Sequence, residues 1–245
     1  MFCSQCSAKN PDDSIYCLNC GQKVTKRTEL LEPPDPSTAR QDFNQLAEQL
    51  IATRRWSEAQ SLLDKTIREM PYGWNPIREE ADSLKIAFWD QEEFFTYVQY
   101  RKGQANKSIL WTTGSYSKAW YQLAVIAIEQ PHFDLGLKCV ASGLEIEPGH
   151  PHLWCEKGFI LNRLHRHQEA LDCYRRAGTV RDWASMSQLA RALRGEGASL
   201  IDLNRLGDAE AAFLRSLELE TSNQVAQQEL DYIRQLRNKR DTHSC

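Results

Sequence analysis

Apolar residues recur at intervals of three and four positions over most of this 245-residue chain, which is the spacing of one face of an α-helix. No stretch of useful length alternates apolar and polar residues, the pattern typical of a half-buried β-strand. Prolines cluster within 33–36, and Ser37 and Thr38, which follow, are both suitable helix N-caps. The pattern therefore predicts a helical domain over 40–240, preceded by a Pro-rich linker at 25–39.

The helical region repeats itself with a shift of 34 residues, which superposes 117–150 on 151–184. The superposed pairs are Trp120 and Trp154, Ala124 and Gly158, Gly136 and Ala170, and Gly143 and Ala177. This period, and this order of large apolar and small residues, resemble the tetratricopeptide repeat, a helix-turn-helix unit that stacks on its neighbours. The resemblance implies an all-α solenoid in which the small residues lie where paired helices cross.

The same register recovers two further units, 40–73 and 190–223. The last unit begins five residues later than the period requires, because of extra residues around 181–185. Residues 74–116 lack the small crossing residues and are rich in aromatic side chains, so we predict a degenerate helical repeat with an irregular connector. The apolar pattern of 224–239 predicts a helix that caps the last repeat.

Four of the eight cysteines fall within the first twenty residues as Cys3-x2-Cys6-x10-Cys17-x2-Cys20. Two such turns can complete a tetrahedral shell of four thiolates, the ligand set of a structural zinc ion. A shell closed by four cysteines leaves no coordination position for catalysis. A pair of disulfides, a redox Cys-x-x-Cys and an iron–sulfur cluster are the alternatives. The other cysteines occur singly, at Cys139, Cys155, Cys173 and Cys245.

Residues 1–24 resemble the short zinc ribbons at the N-termini of many bacterial proteins. The residues that carry the resemblance are the Met-x-Cys start, the tract at 9–13, Tyr16 before Cys17 and Gly21 after Cys20. Ser7 departs from the pattern, since the family usually has glycine after the second cysteine. The resemblance implies one structural zinc, which would supply most of the free energy that orders so short a segment.

Charge and hydropathy exclude several classes of protein. The formal net charge of −3 is not that of a nonspecific nucleic-acid coat protein, and no run of about 18 apolar residues could span a membrane. In the zinc ribbon, the basic residues are balanced by aspartates and by the charge of four thiolates on one zinc, so nucleic acid is not the expected partner. With no export signal at its start, the chain is expected to be cytoplasmic.

The sequence shows few of the motifs typical of enzyme active sites. No Gly-rich phosphate loop, H-E-x-x-H or G-x-S-x-G motif occurs. The histidine pairs at 150/152 and 165/167 would lie at opposite ends of one helix, about 18 Å apart, so they cannot share a metal ion. A metal site made by one pair and a carboxylate is an alternative to solvated turns. Cys155, with His152 before it, is a candidate nucleophile, although buried packing is the usual fate of cysteine.

In tetratricopeptide proteins, the side of the first helix opposite the core lines a concave groove where partners bind. The repeat register places an apolar strip edged by cations there. Its residues are Lys118, Tyr121, Val125, Ile128, His152, Phe159, Asn162, Arg163, Arg191 and Arg194. Such a strip would suit a protein segment with apolar anchors and acidic flanks. Alternatively, the aromatic segment 88–116 fills the groove itself.

The sequence therefore indicates a non-enzymatic scaffold or adaptor that holds another protein or peptide segment, with homo-oligomers possible. The alternative from another class is a zinc-ribbon nucleic-acid-binding protein that uses the repeats for oligomerisation or recruitment.

Overall fold

The structure is a computed structural model that describes residues 42–103 and 107–243. These residues form ten helices and a three-stranded sheet. In chain order the elements are α1 (Phe43–Ala52), α2 (Trp56–Arg68), β1 (Ile77–Glu79), β2 (Ser83–Ile86), α3 (Gln91–Tyr100), β3 (Ser108–Trp111), α4 (Tyr116–Glu129), α5 (Phe133–Ile146), α6 (Pro151–Arg163), α7 (His167–Ala177), α8 (Met186–Asp202), α9 (Leu206–Leu219) and α10 (Gln224–His243). The predicted zinc ribbon at 1–24, with Cys3, Cys6, Cys17 and Cys20, lies outside the described residues, as does the linker at 25–39.

Four helix pairs, α1–α2, α4–α5, α6–α7 and α8–α9, stack in sequence order. Two small residues mark the crossing in every pair and are buried. They are Ala47 and Ala59, Ala124 and Gly136, Gly158 and Ala170, and Gly197 and Ala209. A Cβ atom on Gly158 would lie 2.9 Å from the ring of Tyr174, so a larger residue would force the two helices apart.

The turn within a pair is also repeated. Arg54, His165 and Asn204 occupy the same repeat position, and their φ angles of 58°, 57° and 61° place each in the left-handed region that ends a helix. The backbone N–H of the next residue then donates to a carbonyl five residues back, as Arg166 does to Leu161 at 2.8 Å. This recurrence, together with the crossing residues, confirms the expected tetratricopeptide-type architecture.

Residues 74–116 do not form the degenerate helical repeat that was expected. β1 pairs antiparallel with β2, and β2 pairs parallel with β3, with α3 in the crossover. Ile77, Ala81 and Leu84 have the spacing of one helix face, but they lie in β1, in a bend and in β2. Strands of three or four residues are too short to show an alternating pattern in the sequence.

This β-β-α-β unit, residues 77–111, is called the insert below. Its core consists of Ile86, Phe88, Phe94 and Tyr97, packed against Trp183 from the five extra residues before α8. The ring centroids of Tyr97 and Trp183 are 4.8 Å apart. The two departures from the repeat pattern are therefore in contact with each other.

α10 covers the last pair with Ala226, Leu230 and Ile233, which are buried against α9. The predicted capping helix at 224–239 is thus present and continues to His243. No helix in the described part of the chain is long and apolar enough to cross a membrane.

Candidate functional site

The first helices of the four pairs, α1, α4, α6 and α8, form a continuous wall in which each contacts the next. Each of these helices packs against its pair partner through the face that carries the small crossing residue. The opposite face of the helix therefore lies on the open side of the wall. On α4, Tyr121, Val125 and Ile128 are half-buried, as the repeat register places them on that face. Tyr121 and Ile128 pack against the core shared by the first two pairs.

Trp89 of the insert covers the end of this wall where the helices begin. Its ring stacks on His150 at a centroid distance of 3.5 Å and an interplanar angle of 18°, and it lies 5.1 Å from the ring of Tyr121. Trp89 Nε1 donates to Ser117 Oγ at 3.3 Å, and its carbonyl accepts from Lys118 Nζ at 2.5 Å. The aromatic segment therefore occupies part of the groove, beside the predicted residues Lys118, Tyr121 and His152.

A buried ion cluster anchors the insert beneath Trp89. Arg181 bonds to both Glu93 and Glu147, and its guanidinium lies 4.3 Å from the centroid of the Trp183 ring. His150 Nε2 lies 3.1 Å from Glu93 Oε1, and both side chains are buried. Burial opposes ionisation of Glu93, yet the charges of His150 and Arg181 hold its pKa well below the usual value of 4.5.

A second polar cluster joins α6 to α8. Arg191 bonds to Glu156 and donates to His152 Nδ1 at 3.0 Å. Burial, followed by the positive charges of His150 and Arg191, lowers the pKa of His152 to about 3, so this imidazole is neutral and accepts the bond. Burial and the charge of Glu156 raise the pKa of the neighbouring Tyr121 to about 12.

The predicted cationic edge is largely paired within the chain. Arg191 is bound by Glu156, Arg194 Nη1 lies 2.6 Å from Glu220 Oε2, and Lys118 Nζ lies 2.7 Å from Glu48 Oε1. The carboxylates come from other helices, 35, 26 and 70 residues away along the sequence. A pattern read along one helix could not reveal them. These three cations join helices to one another, and an acidic partner would have to compete with their carboxylates.

The open part of the predicted strip lies further along α6. Phe159 is 40% exposed, Asn162 Nδ2 donates to Ser199 Oγ at 2.9 Å, and the exposed Arg163 lies 5.6 Å from the centroid of the Phe133 ring. Arg163 is the one cation of the predicted strip for which the described residues provide no carboxylate partner.

Cys155, which the repeat register placed on the groove side, is 1% exposed and packs between α6, α7 and α8 with Cys173 and Tyr174. Burial raises the pKa of its thiol to about 12, so a reactive thiolate is strongly disfavoured. His167 Nδ1 lies 3.2 Å from Asp202 Oδ2. Across 42–103 and 107–243, no cluster of histidine, cysteine and carboxylate side chains could hold a metal ion.

Sequence reasoning missed a cavity of about 330 Å³ between α1 and the insert. Asn44 and Glu48 of α1 line it, and their repeat positions match those used to choose Tyr121 and Val125, so the register could have found them. Trp111 on β3 also lines it, and no repeat pattern could have brought that residue to α1.

The model of the zinc-ribbon domain family matches residues 2–24. Among solved structures, pilF of Pseudomonas aeruginosa is 14% identical and superposes with a TM-score of 0.56 over 81% of this chain and 68% of its own. The first TPR domain of human RPAP3 is 22% identical, with a TM-score of 0.47 over 51% of this chain and 95% of its own. At such identities the likeness is one of fold. A comparison with characterised proteins gives no sequence match.

The repeated crossing residues and the recurrent turn agree with the fold-level likeness to pilF. The chain combines an N-terminal zinc-ribbon sequence with a helical-repeat domain of the tetratricopeptide type.

Proposed function

We propose that this chain is a non-enzymatic scaffold that binds a segment of another protein along the wall formed by α1, α4, α6 and α8. The observation that carries the proposal is the exposure of Phe159 on that wall, with half-buried Val125 and Ile128 on the adjacent helix α4. A large exposed aromatic side chain gains free energy when a partner removes it from water. The candidate nucleophile Cys155 is buried away from the wall surface, and burial raises the pKa of its thiol.

The internal ion pairs refine the partner expected from the sequence. Arg191 and Arg194 are held by Glu156 and Glu220, so an acidic flank would have to displace these carboxylates. Arg163 is exposed and available. The partner segment is therefore expected to bind through apolar anchors, with charge contributing mainly at Arg163.

The N-terminal module would hold one structural zinc through Cys3, Cys6, Cys17 and Cys20. The support is the zinc-ribbon match and the chemistry of four thiolates in two Cys-x2-Cys turns. When bound, the ion supplies folding free energy, and the closed thiolate shell gives it no catalytic task.

The test is to identify partners by affinity purification of the intact chain from its native host, and then to measure binding kinetics with the purified partner. Phe159→Ala should raise the dissociation rate at least about tenfold, the scale of a buried aromatic anchor. Leu214→Ala is the matched control, because Leu214 is 50% exposed on α9, outside the wall.

Equal effects of the two substitutions would contradict the proposal. The proposal would also be contradicted if the chain bound only DNA or RNA, with an affinity, measured by fluorescence anisotropy, that falls steeply as salt rises.

A further inference from the structure

The cavity between α1 and the insert has polar and aromatic walls. Its walls come from the start of α1, from the insert and from the start of α4. Its volume of about 330 Å³ is at the lower end of ligand-binding clefts, enough for one long side chain.

The charge of the cavity wall is negative. Lys118 is neutralised by Glu48 at 2.7 Å and also donates to the carbonyl of Trp89. Asp42 and Asp90 remain, and each caps its own helix by accepting a backbone N–H, from Asn44 and Glu93 respectively. The N-termini of α1 and α3 each contribute about half a positive charge, which offsets only one of the two carboxylates.

Two further features favour a hydrogen-bond donor on an apolar stem. Phe88, Trp89 and Trp111 supply aromatic surface against which the apolar stem of a lysine or arginine can pack. Asp42 and Asp90 line the cavity, and a carboxylate oxygen has lone pairs left after one capping bond, so these two side chains are the acceptors that an entering donor meets.

We propose that this cavity binds the cationic side chain of a lysine or arginine in a partner protein segment. This inference rests on the proposed function for the segment itself and adds the chemistry of one anchor. An acidic side chain would meet the like charges of Asp42 and Asp90 and is disfavoured. A neutral apolar side chain would use the rings but not the acceptors.

The cavity also extends the wall described above, because Asn44 and Glu48 belong to α1 and Lys118 to α4. A segment that follows the wall from α6 towards α1 would reach it last. The partner would then place a basic residue at one end and apolar residues along the wall.

The probe is a fluorescein-labelled peptide of alternating lysine and glycine, compared with the same peptide built with glutamine or glutamate. Binding to the full chain is followed by anisotropy, and the indole N–H signals of Trp89 and Trp111 are followed by NMR. The lysine peptide should bind and shift these two signals, whereas the other two peptides should not.

Gln45→Lys places a positive charge at the cavity without removing a contact, because Gln45 is exposed and lines it. It should weaken lysine-peptide binding about fivefold, the scale of one like-charge contact near water. Ser61→Lys, on an exposed position of α2, makes the same change in net charge away from the cavity and should leave binding unchanged.

Equal weakening by the two variants, or equal binding of the glutamate peptide, would overturn the proposal. A third variant, in which Lys23, Lys26 and Arg27 become glutamine, tests whether this chain supplies the cation itself. Tighter lysine-peptide binding by this variant, with altered indole signals before peptide is added, would assign the cavity to these residues and overturn the partner's role.

The lysine-peptide result and the kinetics of Phe159→Ala separate the two proposals. Suppose that Gln45→Lys weakens lysine-peptide binding, whereas Phe159→Ala does not change binding of the purified partner. The cavity proposal would then stand, and the wall would not be the principal interface.

Discussion

The rings of Trp89 and His150 are stacked, with centroids 3.5 Å apart, although the residues come from the insert and from the turn before α6. His150 is fully buried and Trp89 is 5% exposed. Their contact brings the insert onto the third helix pair, and Arg181 ties it to the connection before α8. The insert is thus part of the repeat domain's core.

Trp89→Ala should therefore destabilise the whole repeat domain. Removing a buried tryptophan costs about 3–5 kcal/mol through lost apolar burial and the cavity that remains. Urea unfolding monitored by circular dichroism measures this cost. Tyr72→Ala, at a fully exposed aromatic residue outside the core, should leave the midpoint unchanged. An unaltered midpoint for Trp89→Ala would show that the insert is only loosely attached.

The crossing glycines make a second prediction. Gly158→Ala would place a Cβ 2.9 Å from the ring of Tyr174, so we expect a loss of about 1–3 kcal/mol through overpacking. Gly207→Ala is the matched control: no atom lies within 4 Å of its added Cβ, and alanine is the better helix former by about 0.5–1 kcal/mol. Thermal midpoints that move in opposite directions would support the register, and a common shift would contradict it.

The zinc ribbon makes a third prediction, independent of the helices. Elemental analysis of the protein purified with zinc should give one equivalent, and the double substitution Cys3→Ser and Cys6→Ser should remove it. Because the Pro-rich linker at 25–39 separates the two parts, the unfolding midpoint of the repeat domain should stay the same. Melting of the whole chain in the double variant would instead show that the ribbon is docked on the repeats.

Acid should destabilise the fold through two groups in different pH windows. The pKa of His152 falls from 6.5 to about 3 in the folded state, so the unfolded chain binds the extra proton and stability is lost as the pH falls below 6.5. The pKa of Glu93 is held below 4.5, so its contribution is complete above that pH and is lost below it. Between pH 6.5 and 4.5, the loss of stability should therefore come from His152 and not from Glu93.

His152→Gln isolates the upper window. Urea unfolding between pH 7.5 and 4.5 gives the free energy of unfolding of both chains. That of the parent chain should fall with pH more steeply than that of His152→Gln, by up to about 1.4 kcal/mol per pH unit. His165→Gln, at an exposed turn residue, should leave the slope unchanged. Parallel pH profiles for the parent and His152→Gln would mean that another group carries the acid sensitivity.

The parts of the structure that follow a repeat were predictable from sequence, because position in the period fixes which residues are buried at crossings. Gly158 and Ala124 were identified in this way, and both are buried. The insert was not predictable, since its core is completed by Trp183, which packs on Phe88 from 95 residues further along the chain. The ion pairs of the predicted strip could not be predicted for the same reason: Glu220, which binds Arg194, lies at the C-terminal end of the later helix α9.

The pairing of Arg191 with Glu156 makes the final prediction, which separates a structural role from a binding role. Arg191→Met would leave the 7% exposed Glu156 side chain without its cation. Breaking a fully buried pair costs about 3–5 kcal/mol, and we expect about 1–3 kcal/mol here because a third of the Arg191 side chain is exposed.

Adding Glu156→Gln to Arg191→Met should recover most of the lost stability, since the amide carries no charge that needs compensation. A urea double-mutant cycle measures this coupling directly. If Arg191 instead serves the partner, Arg191→Met would leave the unfolding midpoint unchanged and lower the association rate. Glu156→Gln would then not restore the association rate, because the carboxylate would not be what the guanidinium compensates.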